Sequence, residues 1–324
     1  MEKHTELQPI HGGDFAPPGP LSIEFYHWFC EYLDVSPRTA EAYRRHIGYF
    51  MEWLQREGIT HPQRADIVAY RDNLTATGHK PTTVAAYLAA LKHFFKWLRW
   101  QRFYPDITEN VKSPKLSTSH SKDFLTPPQV RKVLAGIDRE TLQGKRDYAV
   151  FLLCLSTGLR VIEVHRANIE DIGTAGGYPA LFVQGKGRAD KNEYVRLASQ
   201  TELAIRDYLR EREETNPTAP LFASTSNNST GGRLSTRSIS AIIKTAMQQA
   251  GFDSDRLTAH SLRHTAAVSN LDAGGTESET QALLRHTSPV TTQIYSRALD
   301  RAKNRSEQRL ADLFTTEENQ NGGK

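Results

Sequence analysis

Two cysteines in 324 residues are too few for a disulfide framework or a cysteine-built metal site. Both, Cys30 and Cys154, sit inside apolar helical patterns and read as core thiols of a reducing compartment. Long hydrophobic runs are missing too. The longest strong one is YAVFLLCL, residues 148–155, far short of a membrane span. The opening MEKHTELQPIHGGDFAPPGP is polar and rich in Pro and Gly, with nothing resembling a signal peptide. It predicts a mobile arm over residues 1–20. There is no internal repeat. No sign of charge dominates, since 41 Lys and Arg face 37 Asp and Glu for a net +4. That is only a mild lean toward anionic partners. Together these absences point away from a disulfide-stapled, membrane-spanning or repeat protein, and toward a soluble, cytoplasmic one.

What is present is a globular composition, with 38% hydrophobic and 24% charged residues. The length suffices for two domains. The first is helical. SPRTAEAYRRHIGYFMEWLQREG opens with Ser36 as N-cap and Pro37 at the first helical position, and Gly58 closes it. Tyr43, Ile47, Phe50, Met51 and Leu54 form its apolar stripe, with Thr39, Arg44 and Arg45 left as candidate DNA contacts. A second helix, KPTTVAAYLAALKHFFKWLRWQRF, buries Val84, Leu88, Leu91, Phe94, Phe95 and Leu98. Lys80, Thr82, Thr83, Tyr87, Lys92 and Lys96 remain for another surface, either plain solvent or phosphate oxygens, which accept from such side chains. Between Lys80 and Lys122 eight Lys/Arg face two acidic residues, a local balance of +6. The Pro-, Ser- and Lys-rich stretch 106–123 reads as a linker. TPPQ at 126–129 then resembles a capping box and starts a second domain over 124–315, leaving 316–324 as a tail. Apolar helical periodicity breaks at Ser156-Thr157-Gly158, and YPALFVQGKGRADKNEYVRL predicts a β-hairpin. The fold class is therefore mainly α (α+β), a helical first domain followed by helices with a small antiparallel sheet.

Six residues of the second domain match the needs of phosphodiester chemistry without a metal. Arg160 follows the helix break, and Lys186 lies in the GKG of the hairpin turn. His260 and Arg263 are three apart, on one helical face, and His286 and Tyr295 flank a Ser/Thr-rich turn. A phenol can attack phosphorus once its proton is managed. Two guanidiniums can fork onto the non-bridging oxygens. A lysine can protonate the leaving oxygen, and imidazoles can relay protons or hydrogen-bond phosphate. Singly, each residue has a plainer reading. Arg160 can pair with Glu163, Lys186 can be solvated, and His260 can cap a helix. His165 and His264 are surplus.

Taken in order, TGLRVIEV, GKG followed by VRL, HSLRHT and LLRHTSPVTTQIY resemble the tyrosine recombinase (phage integrase) family. RTAEAYRRHIGYFMEWL and TTVAAYLAALKHFFKWL resemble its core-binding helices, so the likeness covers roughly residues 20–315. The plan resembles that of simple Xer-like and integron-like members. The resemblance implies a site-specific DNA recombinase, free of metal, cofactor and ATP. Tyr295 would form a 3′-phosphotyrosyl link, Arg160 and Arg263 hold the phosphate, and Lys186 protonate the 5′-oxygen. His260 would assist the tyrosine's proton, and His286 would bind phosphate. Lys191 is a second candidate for the acid. The implied partners are double-stranded DNA with specific sites, a homotetramer on that DNA, and accessory DNA-bending proteins. A nucleoid-associated location follows, and no membrane is involved. A type IB topoisomerase and a non-cutting DNA-binding regulator are the competing readings. Three positions depart from the family pattern. Arg285 stands where Gly is usual, Glu277 where an apolar residue is usual, and Ala167 where Leu is usual. After Tyr295, Leu299, Ala302, Leu310, Leu313 and Phe314 make a broken apolar stripe. It suits either its own domain or a neighbouring protomer.

Overall fold

The computed structural model describes residues 19–115, 123–185, 190–227, 229–286 and 288–315. The expected N-terminal arm (bar its last residues), the C-terminal tail and Lys186 lie outside that set. The chain divides into two compact units, residues 1–118 and 119–324.

The first unit holds four helices, α1 (Ile23–Tyr32), α2 (Pro37–Arg56), α3 (Arg64–Ala76) and α4 (Pro81–Trp100). The capping chemistry of α2 is as expected: Ser36 Oγ accepts from the Thr39 amide at 3.3 Å. Gly58, at φ +69°, takes the left-handed turn that ends it. Helix α4 is the hub, packed on α1, α2 and α3. Its buried arc is therefore wider than one stripe. Ala90, Trp97 and Tyr87 join the expected residues in the core.

This corrects the placement of Tyr87. It is 8% exposed and stacks on His46 with 4.2 Å between ring centroids. The expected linker also begins later than 106. Val111 and Thr108 are buried, and Arg64 donates to the carbonyls of Glu109 and Asn110 at 3.3 and 3.2 Å. Arg71 likewise reaches the Lys112 carbonyl at 3.3 Å, so the chain is fastened to the first unit up to that point.

The second unit runs α5 (Pro127–Gly136), α6 (Leu142–Thr157), α7 (Val161–Arg166), β1 (Ile172–Ala175), β2 (Tyr178–Val183), β3 (Glu193–Arg196), α8 (Ser199–Arg212), α9 (Thr236–Gln249), α10 (Ala259–Asp272), α11 (Glu277–Leu284), α12 (Pro289–Lys303) and α13 (Ser306–Thr315). The TPPQ capping box is present, with the Thr126 amide donating to Gln129 Oε1 at 2.8 Å. Helix α6 packs on α8, α9 and α10 through Val150, Phe151, Leu153 and Cys154. Burial and the nearby Glu163 push the Cys154 thiol up to about 12, as suits an inert core residue.

The expected hairpin is β2–β3, paired antiparallel with Leu181 opposite Val195. A third strand, β1, completes the sheet in the order β1-β2-β3. It is hard to see in the sequence because IGTA is short and barely alternates. The Gly176-Gly177 pair that turns it into β2, both at positive φ, is the available signal. Among the described residues no helix is long and apolar enough to cross a membrane.

Candidate active site

The site forms where the end of α6, helix α10 and the turn between α11 and α12 meet. The first is the end of α6. Gly158, at φ +61°, closes the helix with its amide on the Cys154 carbonyl. Two residues on, Arg160 becomes the N-cap of α7. Its amide donates to Glu163 Oε2 at 2.7 Å and its guanidinium pairs with Glu163 Oε1 at 3.1 Å. The plain reading of Arg160 is thus correct as local structure. It also aims the guanidinium, because Glu163 is itself buried and fixed.

The second element is α10. His260, in its first turn, is exposed, while Arg263 and His264 are buried one turn further in. Arg263 donates to the carbonyls of Gly158 and Leu284. Backbone carbonyls at two chain breaks therefore hold it in one orientation. Burial and the neighbouring Arg160 push it down to about 10, the mark of a cation poorly neutralised in the free protein. Such a cation is ready for an anion.

The third element is the turn between α11 and α12. Its Nδ1 3.0 Å from Thr292 Oγ1, His286 faces Tyr295 with ring centroids 6.1 Å apart. Burial, then Arg263 and Arg160, push His286 down to about 4, so the ring is neutral at ordinary pH. If the Thr292 hydroxyl donates to Nδ1, the ring proton sits on Nε2, the nitrogen free to meet a phosphate oxygen. Tyr295 is 4% exposed and packs with Ala267, Val268 and Leu284. Burial raises its phenol above the ordinary value, while Arg263 and Arg160 pull it back down. The nucleophile candidate is thus protonated at rest and lies within the field of both guanidiniums.

The structure brings together Arg160, Arg263, His286 and Tyr295, with the charge of His260 also felt at His286. Lys186 lies outside the described residues. Lys191, the other acid candidate, is engaged with Asp171 at 2.6 Å.

His264, surplus in the sequence, has a place here. Its ring lies 4.9 Å from that of Tyr295 and meets Phe124 edge-on. The sequence carries a signal for it, since residues 260 and 264 share a helical face. His165, by contrast, is tied by Nδ1 to the Leu234 carbonyl at 2.7 Å, away from this cluster. The departures also find places. Glu277 accepts from Ser296 and so links α11 to α12, and Ala167 is buried in the core.

In the first unit the DNA-contact candidates divide. Arg45, Lys80, Thr82 and Lys96 are exposed, and Lys92 and Thr83 are half-buried. Thr39 lies against Ser36, the cap of its own helix, with 2.8 Å between their hydroxyl oxygens, and Arg44 donates to the Cys30 carbonyl at 3.1 Å. Among the described residues no cluster of His, Cys, Asp and Glu could hold a metal ion.

A buried phenol beside two histidine rings and within the field of two guanidiniums suits phosphoryl transfer. The phage integrase family matches residues 123–301, and the phage integrase N-terminal SAM-like domain matches residues 26–102. Tyrosine recombinase XerD of Listeria innocua is 30% identical over 285 residues, covering 85% of this chain and 93% of that protein. Tyrosine recombinase XerA of Pyrococcus furiosus is 30% identical over 277 residues, covering 86% and 90%. The fold is shared with the XerH site-specific recombinase in a post-cleavage complex with palindromic difH substrate. The TM-score is 0.71 at 18% identity, covering 90% of this chain and 94% of that one. The chain belongs to the phage integrase family. Within it, the chain is a Xer-like tyrosine recombinase, an enzyme of site-specific DNA cleavage and rejoining.

Proposed function

We propose that this enzyme exchanges strands between two specific duplex sites, with Tyr295 as nucleophile. The phenol oxygen attacks the scissile phosphorus, and its proton passes to His260. The phosphorus–5′-oxygen bond breaks, a 3′-phosphotyrosyl bond forms, and Lys186 protonates the departing oxygen. Arg160 and Arg263 bind the two non-bridging oxygens as their charge grows, and His286 donates to one of them from Nε2. Rejoining is the reverse attack by a 5′-hydroxyl of the partner strand, which returns each proton and needs neither ATP nor metal. The single observation that carries this reading is Tyr295, buried between His286 and His264 in the field of Arg160 and Arg263. Engagement of Lys191 with Asp171 supports Lys186 as the acid.

The first unit supplies phosphate contacts from its exposed cations. Four copies assemble on two sites. In α13, Leu310, Leu313 and Phe314 are all exposed, Phe314 at 78%, and no residue of the helix is buried. That supports docking on a neighbouring copy rather than on its own unit. Accessory DNA-bending proteins and a nucleoid location fit the same reading.

The test uses a supercoiled plasmid carrying the DNA that flanks the gene, without divalent metal. Wild type is expected to give a covalent protein–DNA adduct on SDS gels together with recombinant products. Tyr295→Phe is expected to bind that DNA and give none. An undiminished adduct in Tyr295→Phe would remove Tyr295 from the role, and relaxed plasmid without recombinants would indicate nicking and closing alone.

A further inference from the structure

The residue before His286 adopts φ +51° and ψ +48°, the left-handed region that suits glycine and disfavours any residue with a β-carbon. This chain places Arg285 there. Its side chain is only 10% exposed, so the position is not a solvated one. Nη2 donates to Glu163 Oε2 at 2.7 Å, and Nη1 donates to the Leu283 carbonyl at 3.2 Å. Nε is buried without a hydrogen-bond partner, with Glu193 Oε2 3.8 Å away. Glu193 opens β3, on the far side of the hairpin turn that contains Lys186. One guanidinium thus joins the α7 start, the hairpin and the His286 turn. Beside it lies an open cleft of about 400 Å³ lined by Asn192, Glu193, Tyr194, Arg285 and His286.

We propose that Arg285 is a positioning residue for strand cleavage. It shares the buried Glu163 carboxylate with Arg160, and through Glu193 it ties the start of β3 to the residue before His286. The proposal rests on the roles given above to Arg160 and Lys186. Its physical basis is competition for one carboxylate. With Arg160 as sole partner, Glu163 would hold that guanidinium closely and neutralise it, in rivalry with the DNA phosphate. Arg285 adds a second guanidinium to Glu163 at Oε2, which also accepts from the Arg160 amide, while the Arg160 guanidinium keeps Oε1 at 3.1 Å; a carboxylate shared in this way neutralises Arg160 less. The Glu193 pair, at 3.8 Å, is too long for a hydrogen bond, so its part is orientation of β3.

The experiment uses the full chain and a duplex on which wild type forms a Tyr295-linked adduct, found by selecting bound DNA from a random-sequence pool. Failure of wild type to form any adduct overturns the recombinase reading itself, and is thereby distinct from the outcomes below. Arg285→Gly suits the backbone, so it is expected to fold and to bind DNA as wild type does. Its single-turnover cleavage is expected to slow by about tenfold or more. Arg285→Lys keeps charge without the planar fork and should recover part of the rate. Glu193→Gln is expected to slow cleavage of the ordinary duplex. It should approach wild type when the scissile 5′-oxygen is replaced by sulfur, a leaving group that needs no proton. Wild-type cleavage by Arg285→Gly overturns the proposal, as does a loss matched by weaker folding or binding. A Glu193→Gln defect that sulfur leaves unrelieved overturns the hairpin half.

Discussion

Gly158 is where backbone conformation and catalytic geometry are tied most tightly. Consider Gly158→Ala. At φ +61° a β-carbon costs about 1–2 kcal/mol on conformational grounds. The same β-carbon would lie 2.6 Å from Leu284 Cδ2, and overpacking of that kind costs roughly 1–3 kcal/mol. The stiffer unfolded chain returns about 0.4–1 kcal/mol. The net loss is therefore about 1–5 kcal/mol. For a unit of this size each kcal/mol is worth roughly 2–4 °C, so the midpoint should fall by about 2–20 °C. Activity should suffer beyond stability, because the carbonyls of Gly158 and Leu284 are the two acceptors that orient Arg263. Movement of both should slow cleavage about a hundredfold even well below the midpoint. The assay is thermal unfolding by near-UV circular dichroism, paired with single-turnover adduct formation at about 10–15 °C. Leu284→Ala removes the obstructing Cδ2, so the double variant should lose less than the sum of the two single losses. An unchanged midpoint in Gly158→Ala, or strict additivity in the double variant, would refute the reasoning.

Other expectations follow from single features. His286 should titrate near 4 by NMR of its ring carbons, and a midpoint at or above 6.5 would contradict the burial and cation field around it. Its folded value lies below its unfolded one. The stability it contributes is therefore present above about 6.5 and lost as pH falls toward 4, visible as a midpoint that drops across that window. Lys96→Ala together with Lys92→Ala should lower the slope of log affinity against log salt by about one for each phosphate no longer neutralised. An unchanged slope would take that side of α4 off the phosphates. Tyr87→Ala should instead destabilise the first unit by about 3–5 kcal/mol, read by urea unfolding. A stable Tyr87→Ala variant would mean that its stack on His46 is not part of the core.

Local chemistry determined much of this protein before any fold was seen. Ser36 with Pro37, the TPPQ box and Gly58 mark helix ends through interactions a few residues long, so sequence alone could read them. The motifs also singled out Arg160, Arg263, His286 and Tyr295 as one set, and the structure brings these four together. Contacts far apart in sequence were not legible. Tyr87 looked like a surface residue because an isolated helix has one apolar stripe, yet α4 is covered by three neighbours. The 106–112 stretch looked like linker because Arg64 and Arg71, some forty residues away, hold it by its carbonyls. Only tertiary structure brought Gly158 and Leu284 together as the acceptors of Arg263, laid His264 against Tyr295, and set Arg285 between Glu163 and Glu193. Side-chain type and local spacing name the groups a reaction needs. Long-range packing decides which carbonyl or carboxylate holds each one, and so where it points.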